Sequence, residues 1–317
     1  MIHFHPRLFW IKVMAIERVH FFNRYKDIIP DFEGFLESLR QPPPVYIRVN
    51  TLKIDSGDFI SLMKERGYDL FPVEGIEEAF RLNHAQTPGS GLEYSLGYYH
   101  VQGLTSLFPA KILDPLRDET ILDLCAAPGG KTTQLAQLIQ NHGLIVANDL
   151  RIERLTILRS HIDRLGTTSI LVTRYHGQAF PGRIPFQRIL VDPPCSAEGT
   201  YRAGGQPPLS GDPHAFSRLT GLQRRLLHRA IDILRPGGTL VYSTCTYAPE
   251  ENEAVVDEVV AMGKAEILPI RLPFAHSHGL TSWGEKVFHP DLTKTARFYP
   301  HQVNSWGFFI AHLRKPV

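Results

Sequence analysis

Leu-Asp-Leu-Cys-Ala-Ala-Pro-Gly-Gly-Lys-Thr, residues 122–132, decides how this chain folds. Ile121 to Leu124 is short and apolar. Beyond the glycines, Leu135, Leu138 and Ile139 recur at helical spacing, a helix over 131–140 that Asn141-His142-Gly143 ends. The Gly129-Gly130 turn lets the backbone approach a ligand, and the helix start behind it offers free N–H groups. The same rhythm continues with strands at 144–147, 169–173, 188–191 and 239–242. Helices at 151–165, 217–234 and 250–260 alternate with them. Near-continuous apolar strands between amphipathic helices make a mostly parallel sheet covered on both faces. Such sheets bind ligands beyond the carboxyl ends of their strands, where the loop 125–131 stands. Asp149 closes the second strand about 20 residues past the glycines, the place of a carboxylate that takes a ribose diol.

Upstream the pattern differs. Residues 1–40 mix apolar and charged residues and read as an N-terminal helical segment; Gln41-Pro42-Pro43-Pro44 is a stiff break. Val45 to Asn50 alternates as a strand and 58–66 reads as a helix, giving a small α/β unit over 41–105. The sheet-and-helix part takes 106–317. A chain of 317 residues holds about two domains. Its 43% hydrophobic and 21% charged residues exclude general disorder. A net charge of +2 allows only a local basic patch for an anionic partner. Three cysteines are no disulfide framework. No apolar run reaches the ~18 residues of a membrane span, and the N-terminus lacks the order of a signal peptide. The expected compartment is the reducing cytoplasm.

Two cysteines close apolar strands. Cys195 follows Asp192-Pro193-Pro194, a rigid turn that points a carboxylate into the ligand crevice. Cys245 stands in Tyr242-Ser243-Thr244-Cys245-Thr246, among hydroxyls able to hydrogen-bond a thiolate. Most free cysteines are inert buried hydrophobes, and Cys125 fits that description; the strand-end placement sets Cys195 and Cys245 apart. Gly130-Lys131-Thr132 imitates the end of a phosphate-binding P-loop, but Cys125 stands where its first glycine belongs, and no Gly-x-Gly-x-x-Gly supports a nicotinamide site. Without a Cys-x-x-Cys pair, no metal is expected.

Several motifs together resemble the Fmu/Sun/Nop family of RNA cytosine-5 methyltransferases. They are Arg48-Val-Asn-Thr-Leu-Lys53, Asp123 to Thr132, Asp149 with Arg154, Asp192-Pro-Pro-Cys-Ser196, Tyr242 to Thr246 followed by Glu250-Glu251-Asn252-Glu253, and Gly307 to Ala311. The resemblance implies a Rossmann-like catalytic domain with a seven-stranded sheet and a small RRM-like RNA-binding domain before it. It implies S-adenosyl-L-methionine as cofactor. Cys125, Ala126, Ala127, Pro128, Gly129, Gly130 and Lys131 would hold the methionine part, and Asp149 with Arg154 the ribose. His176 would reach the adenine, where the family carries Asp. By the same resemblance Cys245 attacks carbon 6 of cytosine, Cys195 helps release the product, and Asp192 orients the base beside the cofactor. Lys131 would lower the pKa of Cys245. The partner is tRNA or rRNA, with no obligate protein partner. Arg48, Lys53, Arg202, the loop 203–213, Arg224, Arg225, Arg229, Arg297, Phe298, Tyr299 and His301 are expected along the RNA path. Gln102-Gly103 replaces the more usual Gln-Asp and is expected to loosen its loop; Ala197, where glycine is common, is expected to matter little. Two other readings stay open. Asp192-Pro193-Pro194 also resembles the loop of exocyclic-amine methyltransferases, whose next residue is aromatic where this chain has Cys195; and the chain would serve as a silent cofactor- or RNA-binding scaffold if its thiols were idle.

Overall fold

The first strand after the proline break seeds a sheet of its own. In a computed structural model, which describes residues 20–83, 88–202 and 213–317, β1 (Val45–Val49), β2 (Leu70–Val73), β3 (Ile76–Leu82) and β4 (Tyr99–Val101) form an antiparallel sheet in the order β2-β3-β1-β4. The helix Ser56–Glu65 buries Phe59 and Met63 against Ile47, Val49, Phe80 and Tyr99.

The second sheet contains β5 (Thr120–Asp123), β6 (Leu144–Asn148), β7 (Ile170–Thr173), β8 (Phe186–Val191), β9 (Leu234–Thr244), β10 (Glu266–Leu268) and β11 (Ser277–His278). After a separate two-stranded hairpin, β12 (Ser282–Trp283) and β13 (Lys286–Val287), it is completed by β14 (Ala296–Phe298) and β15 (Phe308–Arg314). Its order is β11-β14-β15-β9-β8-β5-β6-β7, with β10 also on β15, nine strands among the described residues. The strands from β9 to β7 run parallel, and β15 is reversed between β9 and β14. Without the short strands β10 and β11, this is the expected seven-stranded, mostly parallel sheet. The helices Gly130–Leu138, Ile152–Leu165, Pro213–Ile233 and Glu253–Ala261 differ from the sequence reading by a few residues at their ends. β9 starts earlier than expected, because the helix Pro213–Ile233 runs straight into it and the Pro-Gly-Gly turn is held against Lys315 by two backbone hydrogen bonds.

At the N-terminus, residues 1–19 lie outside the described part. The helix Phe32–Leu39 starts at Asp31, whose side chain accepts the Gly34 N–H. With the short 3₁₀ turn His20–Tyr25 it buries Phe22, Tyr25 and Phe35 against Tyr201, Tyr247 and Tyr299. Tyr247, two residues past Cys245, meets Phe35 edge to face at 5.4 Å. The N-terminal segment is therefore part of the wall behind that thiol loop. Among the described residues no helix is long and apolar enough to cross a membrane.

The two sheets are joined by polar side chains satisfying backbone groups. Asn50 Nδ2 donates to Gly97 O and Leu165 O, both at 2.8 Å. Lys53 Nζ donates to Leu96 O at 2.8 Å and Arg164 O at 2.7 Å, and Gln137 Nε2 donates to Val49 O at 3.0 Å. Gly97 has φ +76°, and a Cβ there would stand 1.9 Å from the Arg164 carbonyl. Gly97→Ala is expected to cost about 2–4 kcal/mol from this backbone clash and left-handed strain. Urea denaturation measures it; a loss under about 1 kcal/mol would show that the seam yields.

Candidate active site

Parallel β8 and β9 are neighbours, with Leu190 opposite Val241 and Val191 opposite Tyr242. The loops that leave their carboxyl ends therefore emerge side by side. Cys195 Sγ and Cys245 Sγ end 3.4 Å apart. Asp192 sits at the same strand end. Its Oδ1 accepts from Ser243 at 2.9 Å and its Oδ2 from Lys131 Nζ at 2.7 Å. Lys131 belongs to the helix after β5, so three consecutive strand ends meet here. Burial alone would drive the Lys131 pKa down, but the Asp192 charge and hydrogen bond outweigh it and the net shift is upward. Lys131 is thus a fixed cation whose direct partner is Asp192 rather than a thiol. For Cys195, the hydrogen bond with Cys245 and then burial push the thiol pKa well above its ordinary value. Cys125 is driven upward by burial and by the nearby carboxylates, as an inert thiol should be.

A cleft of about 300 Å³ opens beside these groups. Asp123, the 125–131 loop, Asp192, Cys245, the 100–106 segment and Phe308 line it. Gly129 has φ +108°, and a Cβ there would meet Leu158 Cδ1 at 2.6 Å, so only glycine fits this close packing of loop on helix. Asp123 is 1% exposed; Thr132 donates to its Oδ2 at 2.7 Å, while its Oδ1 has no partner. Burial raises its pKa to about 7. An orphaned carboxylate oxygen in a glycine-lined cradle suits a ligand bearing an ammonium group. Asp149 lies beyond the cleft lining. It accepts from Arg151 N at 3.0 Å just ahead of the next helix, pairs with Arg154 at 3.2 Å, and Arg154 donates to Ala127 O. His176 is exposed at the turn after β7 and is not brought to the cleft.

Sequence reasoning named Glu250-Glu251-Asn252-Glu253 without assigning it work. Glu251 Oε2 accepts from Ser196 N at 3.0 Å and Gln223 Nε2 at 2.7 Å. Asn252 Nδ2 donates to Thr246 O at 3.0 Å. Glu253 pairs with Arg297, and Glu250 pairs with Arg24 and accepts from Trp283 Nε1. Ser196 Oγ and Thr246 Oγ1, each next to a thiol, share a hydrogen bond of 2.7 Å. Glu198 was missed altogether. Its Oε2 accepts from Tyr25 at 2.7 Å and Thr246 at 3.2 Å, and Gly199 N donates to Cys245 O at 2.9 Å. The signal available was the spacing of Glu198 three residues from Cys195.

Much of the expected RNA path lies elsewhere. Arg202 is 3% exposed and donates to Gln41 O and Ser305 O, tying the proline break to the catalytic part. Arg297, Phe298 and Tyr299 are buried, because Arg297 meets Glu253 inside the core. Arg48 is buried as well and Lys53 is spent on backbone carbonyls. Arg224 pairs with Glu258 and Arg229 donates to Phe180 O, leaving Arg225 exposed on that helix. His301 stacks on Tyr299. Residues 203–212 lie outside the described part. Gln102 is held rather than loose, donating to Ser106 O and Gln134 Oε1, both at 3.1 Å. Ala197 has φ 58°, where alanine is strained by about 1 kcal/mol, so the missing glycine is not neutral.

This architecture, a mostly parallel sheet with a glycine-lined cleft at its strand ends, is of the Rossmann-like class. Residues 110–314 match the family model described as 16S rRNA methyltransferase RsmB/F, and residues 19–103 match the N-terminal domain of 16S rRNA methyltransferase RsmF. The chain belongs to the RsmB/F family. It is 37% identical over 304 residues to the tRNA (cytosine(49)-C(5))-methyltransferase of Pyrococcus abyssi, covering 93% of this chain and 95% of that one. It is 39% identical over 302 residues to the human 28S rRNA (cytosine(4447)-C(5))-methyltransferase, covering 92% of this chain but 37% of the human protein. The first four curated relatives are spanned over only 36–48% of their length. The crystal structure of a methyltransferase homologue from Pyrococcus horikoshii superposes with TM-score 0.84 at 32% identity, over 95% of this chain and 97% of that one.

Burial raises the Glu198 pKa from 4.5 to about 7, so its native form holds a proton that the unfolded chain has released. Its stabilising contribution is full below about pH 4.5 and is lost as pH rises through about 7. Between those limits the wild type is expected to lose on the order of 2–3 kcal/mol relative to Glu198→Gln. Paired denaturation curves at pH 4.5 and 7.5 test this, and a constant difference would remove the protonated carboxyl.

Proposed function

We propose that the chain transfers a methyl group from S-adenosyl-L-methionine to carbon 5 of a cytosine in RNA. The observation that carries this is the 3.4 Å pairing of Cys195 and Cys245 beside a cleft holding the unpartnered Asp123 carboxylate oxygen and the glycine turn. The cofactor, when bound, supplies an electrophilic methyl group. Cys125 to Lys131 and Asp123 would hold its methionine part; Asp149, steadied by Arg154, would take the ribose. His176, exposed at the turn after β7, would take the adenine edge.

Carbon 5 of cytosine is a weak nucleophile. Addition of the Cys245 thiolate to carbon 6 makes carbon 5 enamine-like and able to take up a methyl group; once carbon 5 carries the methyl, a base removes its proton and the thiolate leaves carbon 6, which restores the ring. The neighbouring thiol and burial shift Cys195 upward, and its Sγ, 3.4 Å from Cys245 Sγ, is placed to exchange a proton during release. Asp192, held by Ser243 and Lys131, would accept from the exocyclic amine of the base. A paired base is out of reach, so the target cytosine would be single-stranded or flipped out.

The names of the relatives support both ribosomal and transfer RNA as substrate classes. The sheet β1–β4 is proposed to dock RNA through groups other than Arg48 and Lys53. Three free cysteines suit the cytoplasm. Exocyclic-amine transfer is less well supported, because Cys195 stands where such sites stack an aromatic ring.

Nucleoside mass spectrometry of bulk RNA incubated with the protein and methyl-labelled cofactor should find label in 5-methylcytidine; label in N4-methylcytidine or N6-methyladenosine instead would overturn the assignment. Cys245→Ser should reduce turnover by on the order of 10³-fold or more while cofactor binding persists. Cys195→Ala should accumulate a covalent RNA adduct, seen as a shifted band in denaturing gels; the absence of a band would take the release role from Cys195.

A further inference from the structure

The cofactor cleft contains a histidine that none of the motifs accounts for. His100 is 7% exposed on β4, opposite Arg48 of β1, and lines the cleft. Arg164 Nη2 lies 3.0 Å from its Nδ1. A guanidinium only donates, so Nδ1 is the acceptor and the ring carries its proton on Nε2. That nitrogen faces the start of the helix Gly130–Leu138, since a Cβ on Gly130 would stand 3.4 Å from it. Burial, with Arg48, His161 and Arg164 nearby, holds the His100 pKa well below its ordinary value, so the ring stays neutral.

Behind the ring lie two cations with little compensation. Arg48 is buried, donates to Thr133 Oγ1 at 2.9 Å, and leaves Nε and Nη1 without partners; its pKa falls to about 9 through burial, so it is still charged at neutral pH. Arg164 spends its donors on Tyr94 O, Tyr99 O and His100. This end of the cleft is thus positive, with a helix start and an imidazole N–H directed into it. The Asp123 carboxyl lines the same cleft, and its unpartnered oxygen offers an acceptor to an ammonium group. The two poles suit an amino-acid zwitterion.

We infer that His100 is a cofactor-recognition residue: its Nε2–H donates to the carboxylate of the bound amino-acid moiety, with the ring locked in that tautomer by Arg164. This rests on the reading of the cleft as the S-adenosyl-L-methionine site.

The test compares S-adenosylhomocysteine with its decarboxylated analogue, which keeps the amine and lacks the carboxylate, by isothermal titration of the full chain. His100→Ala should weaken S-adenosylhomocysteine binding about tenfold, as for loss of a hydrogen bond to a charged group, and the analogue less than twofold. His100→Leu, which better fills the space, should do the same and serves if the alanine variant does not fold. His100→Gln, which offers an N–H at similar reach, should recover most of the affinity. Equal losses for the two nucleosides, or no loss for either, would overturn the proposal. A folded wild type that bound neither nucleoside would instead overturn the reading of the cleft itself.

Discussion

Strand β8 lies beside β9, parallel and paired through Val191 and Tyr242, and the rest of the site depends on this adjacency. Two parallel neighbours deliver their next residues to the same edge at nearly the same height. Proximity alone would leave two loops free to drift, so the thiols also need side chains to fix them. Glu251 holds the backbone after Cys195, Asn252 holds the backbone after Cys245, and the Ser196–Thr246 hydrogen bond joins the two. These four side chains are all buried at under 4% exposure. Burying such groups is unfavourable unless they are hydrogen-bonded, so each alternative loop position that breaks one of these bonds is penalised.

The electrostatics divide the cleft by function. Near the thiols, Lys131 and Asp192 neutralise one another, and Ser243 completes the carboxylate's partners. A free cation there would draw the whole RNA backbone; a paired one fixes the orientation of a single acceptor. At the other end, Arg48 is buried with two nitrogens unpartnered, beside the neutral ring of His100. Unsatisfied buried groups are rare in folded chains and are tolerated where a ligand completes them.

The alternating strands and helices of the second sheet were legible because their apolar periods are long and their turns carry glycine. The thiol and glycine loops were legible because strand-end position in a parallel sheet is itself a statement about location. Part of the RNA path was read wrongly, for a definite reason. Arg297-Phe298-Tyr299 has the basic and aromatic composition of a nucleic-acid surface, but it is equally the composition of a core strand with a buried ion pair. The deciding residue, Glu253, is 44 positions away. Arg202 misled in the same way, since its acceptors are backbone carbonyls at residues 41 and 305. Composition reports a residue's chemistry; only topology reports its neighbour.

That distinction also settles how the N-terminal segment should be regarded. A stiff proline break follows it, yet Tyr25 donates to Glu198, and Glu198 in turn accepts from Thr246, the neighbour of Cys245. Phe22 and Phe35 cover Tyr247. Removing the segment would uncover Tyr247 and Tyr299 and leave Glu198 with one donor fewer. The loop that carries the second thiol is therefore shaped from both sides: by the sheet that delivers it, and by residues more than 200 positions earlier that close over its back.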